Sequence, residues 1–119
     1  KELEIYGSNY NTPDGTCIRD YIHVNDLATA HLESLNYLNE KNQSLVLNLA
    51  TGTGHTVLEV VKKIEKLSSM KIKYKFVNRR KGDPSTVISR TKYKKFPINW
   101  SPIYSDLDTI INSVLKIYK

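Results

Sequence analysis

A single cysteine, Cys17, leaves this chain unable to close an internal disulfide or to build a cysteine-based metal site. Such usage suits a reducing compartment. No apolar run approaches the roughly 20 residues that a membrane-crossing helix needs, and the start lacks the charged, apolar and small-residue succession of a secretory leader. The expectation is a cytoplasmic protein without membrane contact. Glycine is scarce, five in 119 residues, and the five do not fall into the spaced series that cradles a dinucleotide. Acidic residues are outnumbered, 12 against 18 Lys and Arg, for a net charge of +6. Internal repeats and low-complexity linkers are absent.

What remains is a chain 39% hydrophobic, enough for one small domain or part of a larger one with a modest core. The positive charge raises nucleic-acid binding, since clustered cations gain affinity by releasing counterions from phosphates. The distribution argues against it. Lys62, Lys63, Lys66, Lys92, Lys94, Lys95, Lys116 and Lys119 are scattered as on solvated helix faces. Arg19, Arg79 and Arg80 differ: they sit beside Asp or Gly-Asp in loops, where a planar donor fork makes a better anion ligand than an ammonium.

Periodicity predicts a strand at 3–6, turn chemistry at 9–15 and strand character at 19–24. A helix capped by Asn25 or Asp26 follows, with Leu27, Ala30, Leu35 and Leu38 on its apolar side. The run LVLNLA at 45–50 suits a buried strand. Thr56 and Glu59 form a capping box for a helix reaching Leu67. A strand is expected at 71–77, a loop at 79–84, and a last helix capped by Ser105 with Asp108, whose Leu107, Ile110, Ile111, Val114 and Leu115 form the inner face. Without a clean βαβ repeat, this mixed α/β chain reads as a lobe more than as a complete enzyme.

Gly52-Thr53-Gly54 between a strand and a helix suggests a phosphate-binding turn, but Val57 stands where the dinucleotide fingerprint needs a third Gly. A tight turn is the plainer reading; the helix start behind it could still line a site. His23, His31 and His55 have no metal-ligand spacing and read as core-edge or surface residues. Asp26 is read as a helix cap, and Asp20 as an internal partner of a nearby donor. No catalytic acid-base set is visible.

Three segments in order, DGTCIRDYIHVNDLATAH, NLATGTGHTVLEVV and RRKGDP, followed by INW, are similar to the C-terminal part of the UDP-glucose 4-epimerases, a family of the extended short-chain dehydrogenase/reductase superfamily. The resemblance covers essentially the whole chain. It implies a C-terminal substrate-binding lobe over residues 1–119, without the NAD-binding Rossmann half. It also implies the family's reaction, the interconversion of UDP-galactose and UDP-glucose in galactose metabolism by NAD-mediated oxidation and re-reduction at sugar C4. By resemblance, Arg19 and Arg80 hold the diphosphate, Asp83 accepts from the ribose hydroxyls, Tyr6 and Val57 pack the uracil, Tyr21 touches the substrate, and Val87 faces the sugar C2 substituent. The plain alternative for Arg19 is a surface arginine paired with Asp20.

Ala50 and Asn99 stand where the family usually has Gly; the first is harmless only if that position does not require positive φ. The NAD-binding glycine motif and the Tyr–Lys pair for proton transfer belong to the family's other half. The chain alone is therefore expected to be inactive, with NAD, that other half and the UDP-sugar as its partners, no metal, and a homodimer as the family's usual assembly. A related nucleotide-sugar epimerase or dehydratase, or a non-catalytic basic binding module, stays open on the sequence.

Overall fold

The computed structural model describes residues 2–89 and 96–118; Lys92, Lys94, Lys95 and Lys119 lie outside them. Elements run β1 (Leu3–Tyr6), β2 (Ile18–Asp20), α1 (Val24–Lys41), β3 (Gly54–Thr56), α2 (Val57–Ser68), β4 (Tyr74–Val77), β5 (Thr86–Val87) and α3 (Leu107–Ile117). The class is mixed α/β, as expected. β1 and β4 pair in parallel with Leu3 opposite Tyr74, and a second sheet has the order β3-β2-β5, antiparallel then parallel.

Locally specified features sit where the sequence puts them. Thr56 accepts from the Glu59 amide while the Glu59 carboxylate accepts from the Thr56 amide, so α2 opens on the expected capping box. β1 keeps its expected bounds, whereas the strands expected at 19–24 and 71–77 shorten to Ile18–Asp20 and Tyr74–Val77. The caps of α1 and α3 move. His23, with its Nδ1 accepting from the Asn25 amide at 3.0 Å, caps α1 in place of Asn25 or Asp26. Asp106 caps α3 in place of Ser105, accepting from the Thr109 amide at 2.9 Å.

Both displaced residues serve a longer-range contact. Asp26 is 1% exposed, and its carboxylate accepts from the amides of Ile103 and Tyr104, each at 2.9 Å, and from the Ser105 hydroxyl. Ser105 in turn accepts from the His23 amide at 2.9 Å, and the Trp100 indole donates to the Asp26 carbonyl at 2.8 Å. The segment before α3 is thereby tied to the first turn of α1. Burial pushes the Asp26 carboxyl up, but the donors from Ser105, Ile103 and Tyr104 together outweigh it and hold the group below its ordinary range.

Among the described residues no strand is assigned over 45–50, where one is expected. Its side chains alternate between half-buried Leu45, Leu47 and Leu49 and exposed Val46 and Asn48, the two-residue period of a strand. The apolar side of α1 is also open: Ala30 is buried, but Leu35 and Leu38 are 54% and 45% exposed. Accessible surface totals 8798 Å², against roughly 6600 Å² for a compact monomer of this mass. The radius of gyration, 17.1 Å, likewise exceeds the roughly 13.5 Å of a compact domain. Among the described residues, no helix is long and apolar enough to cross a membrane.

Replacing Asp26 with Ala leaves two backbone amides without their acceptor, and the expected cost is on the order of 2–4 kcal/mol in urea unfolding. Because the folded carboxyl is held low, its contribution is present above about pH 4, the unfolded value, and is lost as pH falls through the lower folded value. The acid limb of the stability profile should therefore flatten in Asp26→Ala.

Candidate functional site

Arg19 lies at the centre of β2, with Cys17 just before the strand and Tyr21 just after it, two residues to either side as a common face requires. Arg19 is in register with Val87 of β5 and His55 of β3, so these three form a row across the sheet. The other face is packed: a Cβ at Gly54 would come within 2.4 Å of the Ile18 side chain and 2.5 Å of Ile88. Gly54 thus lets β3 lie against β2.

Arg19 makes an ion pair with Asp83 and donates to the Ile18 carbonyl at 2.7 Å. The plain alternative, Arg19 with Asp20, is overturned: Asp20 faces away and accepts from the Thr51 amide at 3.1 Å, the Thr51 hydroxyl at 2.6 Å and the Gly52 amide at 2.9 Å. Asp20 is an internal partner, as expected, but of donors about thirty residues away. Asp83 closes the turn begun by Arg80, its amide donating to the Arg80 carbonyl at 3.2 Å, and lies 3.7 Å from the Cys17 sulfur. The Arg80 guanidinium lies 3.9 Å from the centroid of the Tyr6 ring and is exposed. Arg79 is spent on the fold, stacked 4.0 Å from Tyr10 and donating to Asn9 Oδ1 at 2.7 Å.

Tyr6, Arg80, Asp83, Arg19 and Val87 are therefore linked step by step through one stack, one turn, one ion pair and one strand pairing. Tyr21 lies beside this set; burial pushes its hydroxyl up, against the pull of Arg19. Val57 opens α2 with its amide on the Cys17 carbonyl at 3.0 Å, so its backbone is fixed to the same strand. Val87 is 47% exposed and shares a cleft of about 170 Å³ with Arg19, Leu49 and Ser89.

The glycine turn is no phosphate cradle. Asp20 occupies the amides of Thr51 and Gly52, and the Thr51 hydroxyl that of Thr53. The start of α2 is equally satisfied, its Val57, Leu58 and Glu59 amides bound to Cys17, Thr16 and Thr56, so it offers no free donors to an anion. Neither the 51–54 turn nor the start of α2 therefore fits the pyrophosphate of NAD. Positive φ among described non-glycine residues is confined to Asn42 and Ser69, so Ala50 and Asn99 carry no strain. Among the described residues no cluster of His, Cys, Asp and Glu could hold a metal.

Sequence reading passed over two features. Tyr37 and Lys41 have the spacing of a Tyr–Lys proton-transfer pair, but Tyr37 lies in an apolar groove with Leu38 and Leu45 while Lys41 ends α1 in solvent. Neither lines the cleft at Arg19. Asp14 is the second feature, accepting from the Thr16 amide at 2.9 Å, its hydroxyl at 2.7 Å and the Thr56 hydroxyl. Burial raises this carboxyl, but the Thr56 and Thr16 donors outweigh it. An Asp followed two residues later by Thr was the available signal.

No family model matches the chain. A UDP-glucose 4-epimerase of Streptococcus mutans is 41% identical over 113 residues, 95% of this chain and 34% of that protein. Among solved structures, a UDP-glucose 4-epimerase from Stenotrophomonas maltophila, with bound NAD and formylated UDP-arabinopyranose, superposes with a TM-score of 0.89 at 35% identity, covering 97% of this chain and 34% of that one. The UDP-Glc/GlcNAc 4-epimerase from Campylobacter jejuni gives 0.84 at 43% identity, over 97% and 35%. The chain spans about a third of the length of the relatives it matches.

Since the Asp20 carboxylate alone fastens the 51–52 amides to β2, Asp20→Ala should release them. Amide exchange at Thr51 and Gly52 is expected to quicken by about tenfold or more, the equivalent of one lost charge-assisted hydrogen bond. The amides of β1 should be unaffected.

Proposed function

We infer that this chain, which matches the C-terminal part of the UDP-glucose 4-epimerases in sequence and in fold, is the UDP-sugar-binding lobe of such an enzyme over residues 1–119. One observation carries the reading: two arginines from separate segments meet at the 80–83 turn, Arg19 through the ion pair of its guanidinium with Asp83 and Arg80 through its backbone carbonyl, which leaves the exposed Arg80 guanidinium over the Tyr6 ring. A diphosphate is the anion that two such forks suit, each able to present parallel donors to one phosphate. Asp83, released from Arg19, would accept from the ribose hydroxyls. Tyr6 and Val57 supply a ring face and an aliphatic surface for the uracil, and Tyr21 a further polar contact beside the substrate.

NAD belongs to the remainder of the enzyme, where it supplies oxidation and re-reduction at sugar C4. This lobe would hold the nucleotide while the hexose turns, so that binding energy remote from C4 positions the reacting sugar. The exposed Leu35 and Leu38 of α1 support a covering partner, and the NAD-binding half is the one this reading names. UDP-galactose and UDP-glucose are the substrates, galactose metabolism the setting, the cytoplasm the compartment, and a homodimer the assembly of the complete enzyme. A basic binding module is the weaker reading, because Lys62, Lys63 and Lys75 are paired with Glu65, Asp108 and Glu4 at 2.9, 2.6 and 3.0 Å.

Given NAD and UDP-galactose, the 119-residue chain by itself should form no UDP-glucose; turnover by material freed of contaminating epimerase would contradict the reading. In the complete enzyme, Arg80→Ala is expected to weaken UDP binding by about 1.5–3 kcal/mol, the range for hydrogen bonds to charged groups, and Lys66→Ala to leave it unchanged. Equal losses from both would favour the basic module.

Val87 bears on the sugar. A small, half-exposed residue beside Arg19 leaves room at the sugar C2 substituent, and the Campylobacter jejuni relative is named for both UDP-Glc and UDP-GlcNAc. The complete enzyme should therefore turn over UDP-N-acetylglucosamine as well as UDP-glucose, and Val87→Tyr should cut kcat/KM selectively for the acetylated sugar. An unchanged ratio of the two would remove Val87 from the pocket wall.

A further inference from the structure

The UDP-binding reading leaves one polar side chain of the Arg19 row without a role. His55 stands in register with Arg19 on the face that carries Val87 and Tyr21, opposite the face closed by Ile18 and Ile88. Directly opposed residues of an antiparallel pair keep their Cβ atoms within about 5.5 Å of each other, so its ring is a lateral neighbour of the Arg19 side chain. Its orientation is fixed from behind: Nδ1 lies 2.8 Å from Glu59 Oε1, and Glu59 Oε2 accepts from the Thr56 amide at 3.3 Å within the capping box. With Nδ1 held there, Nε2 has no partner among the described residues, and the side chain keeps 23% of its surface exposed.

We propose that His55 is a third ligand of the nucleotide diphosphate, donating from Nε2 to the phosphate oxygens gripped by Arg19, with Glu59 as the residue that positions it. The inference rests on the UDP-binding reading. The charged and titratable groups around the ring divide accordingly. Arg19 attracts the same anion, Glu59 is turned onto Nδ1, and Asp83 is paired with Arg19 until the ligand arrives. Tyr21 and Cys17 lie along β2 on the same side. An imidazolium between Glu59 and a phosphate donates to one anion from each nitrogen. This also explains why a carboxylate so near a diphosphate need not repel it: Glu59 spends both oxygens, one on the ring and one on the Thr56 amide.

The test compares UDP with uridine, which differ by the diphosphate alone, in the full-length protein that carries this chain. Calorimetric dissociation constants are measured for the parent, His55→Ala, His55→Arg, Glu59→Gln and Arg19→Ala. His55→Ala should weaken UDP by about tenfold or more, one hydrogen bond to a charged group, and leave uridine unchanged. His55→Arg should recover most of the loss, and Glu59→Gln should show a smaller loss confined to UDP. Should His55→Ala fold poorly, His55→Asn takes its place with the same expectation. Equal weakening of UDP and uridine, or none, while Arg19→Ala still weakens UDP selectively, would overturn the role of His55 and spare the UDP-binding reading. If Arg19→Ala also leaves the ratio of the two constants unchanged, both fall.

Discussion

Carboxylates that accept hydrogen bonds from distant segments, from backbone amides or from hydroxyls, hold this chain together. Asp14, Asp20 and Asp26 follow one another at six-residue intervals, and each fastens a different part of the later sequence. Asp14 ties the 12–16 turn to the Thr56 cap of α2, Asp20 ties β2 to the 51–52 turn, and Asp26 ties α1 to the 103–105 segment. Ionised carboxylates accept stronger hydrogen bonds than neutral groups, and three of them within thirteen residues make this stretch the frame on which the remainder is hung. The small core, with Ile5, Val61, Leu107 and Ile111 among its buried residues, would be a weak organiser alone.

That frame explains the site. Between Asp14 and Asp20 the chain is fixed at both ends, so Arg19 is presented from a paired strand rather than from a loop. The loop arginines have divided their work. Arg79 is spent in locking the 79–80 corner to Asn9 and Tyr10, and Arg80 is left with exposed donors. Gly15 permits the corner before β2: its φ of +80° and an approach of 2.1 Å from a Cβ to the Ser8 carbonyl oxygen exclude a side chain there.

Some features encoded within four residues were legible in the sequence, though the His23 and Asp106 caps and the Asp14 turn were not, and features encoded across the fold were not. The Thr56–Glu59 box and the bounds of β1 could be read because their determinants are local. Asp26 and Ser105 were misread as caps because each has a polar side chain at a helix start, while the partners that claim them lie 77 or more residues away. The run at 45–50 has the alternation of a strand, but among the described residues none is assigned there. Asp20 was recognisable as an internal acceptor, yet not that Asp83, 64 residues from Arg19, would take its place at the guanidinium. Motif resemblance named candidate residues one at a time; the strand register supplied the row that joins Arg19 to His55.

The Arg19–Asp83 pair has a consequence for the energetics of an anion arriving at this face. A surface of free cations gains its affinity by shedding bound counterions, and it weakens steeply as salt rises. Here part of the counterion is built in: Asp83 already neutralises Arg19, so an incoming phosphate exchanges one anion for another and discharges few ions from solution. On the UDP-binding reading, affinity at such a face would be set by geometry more than by the chain's net charge of +6.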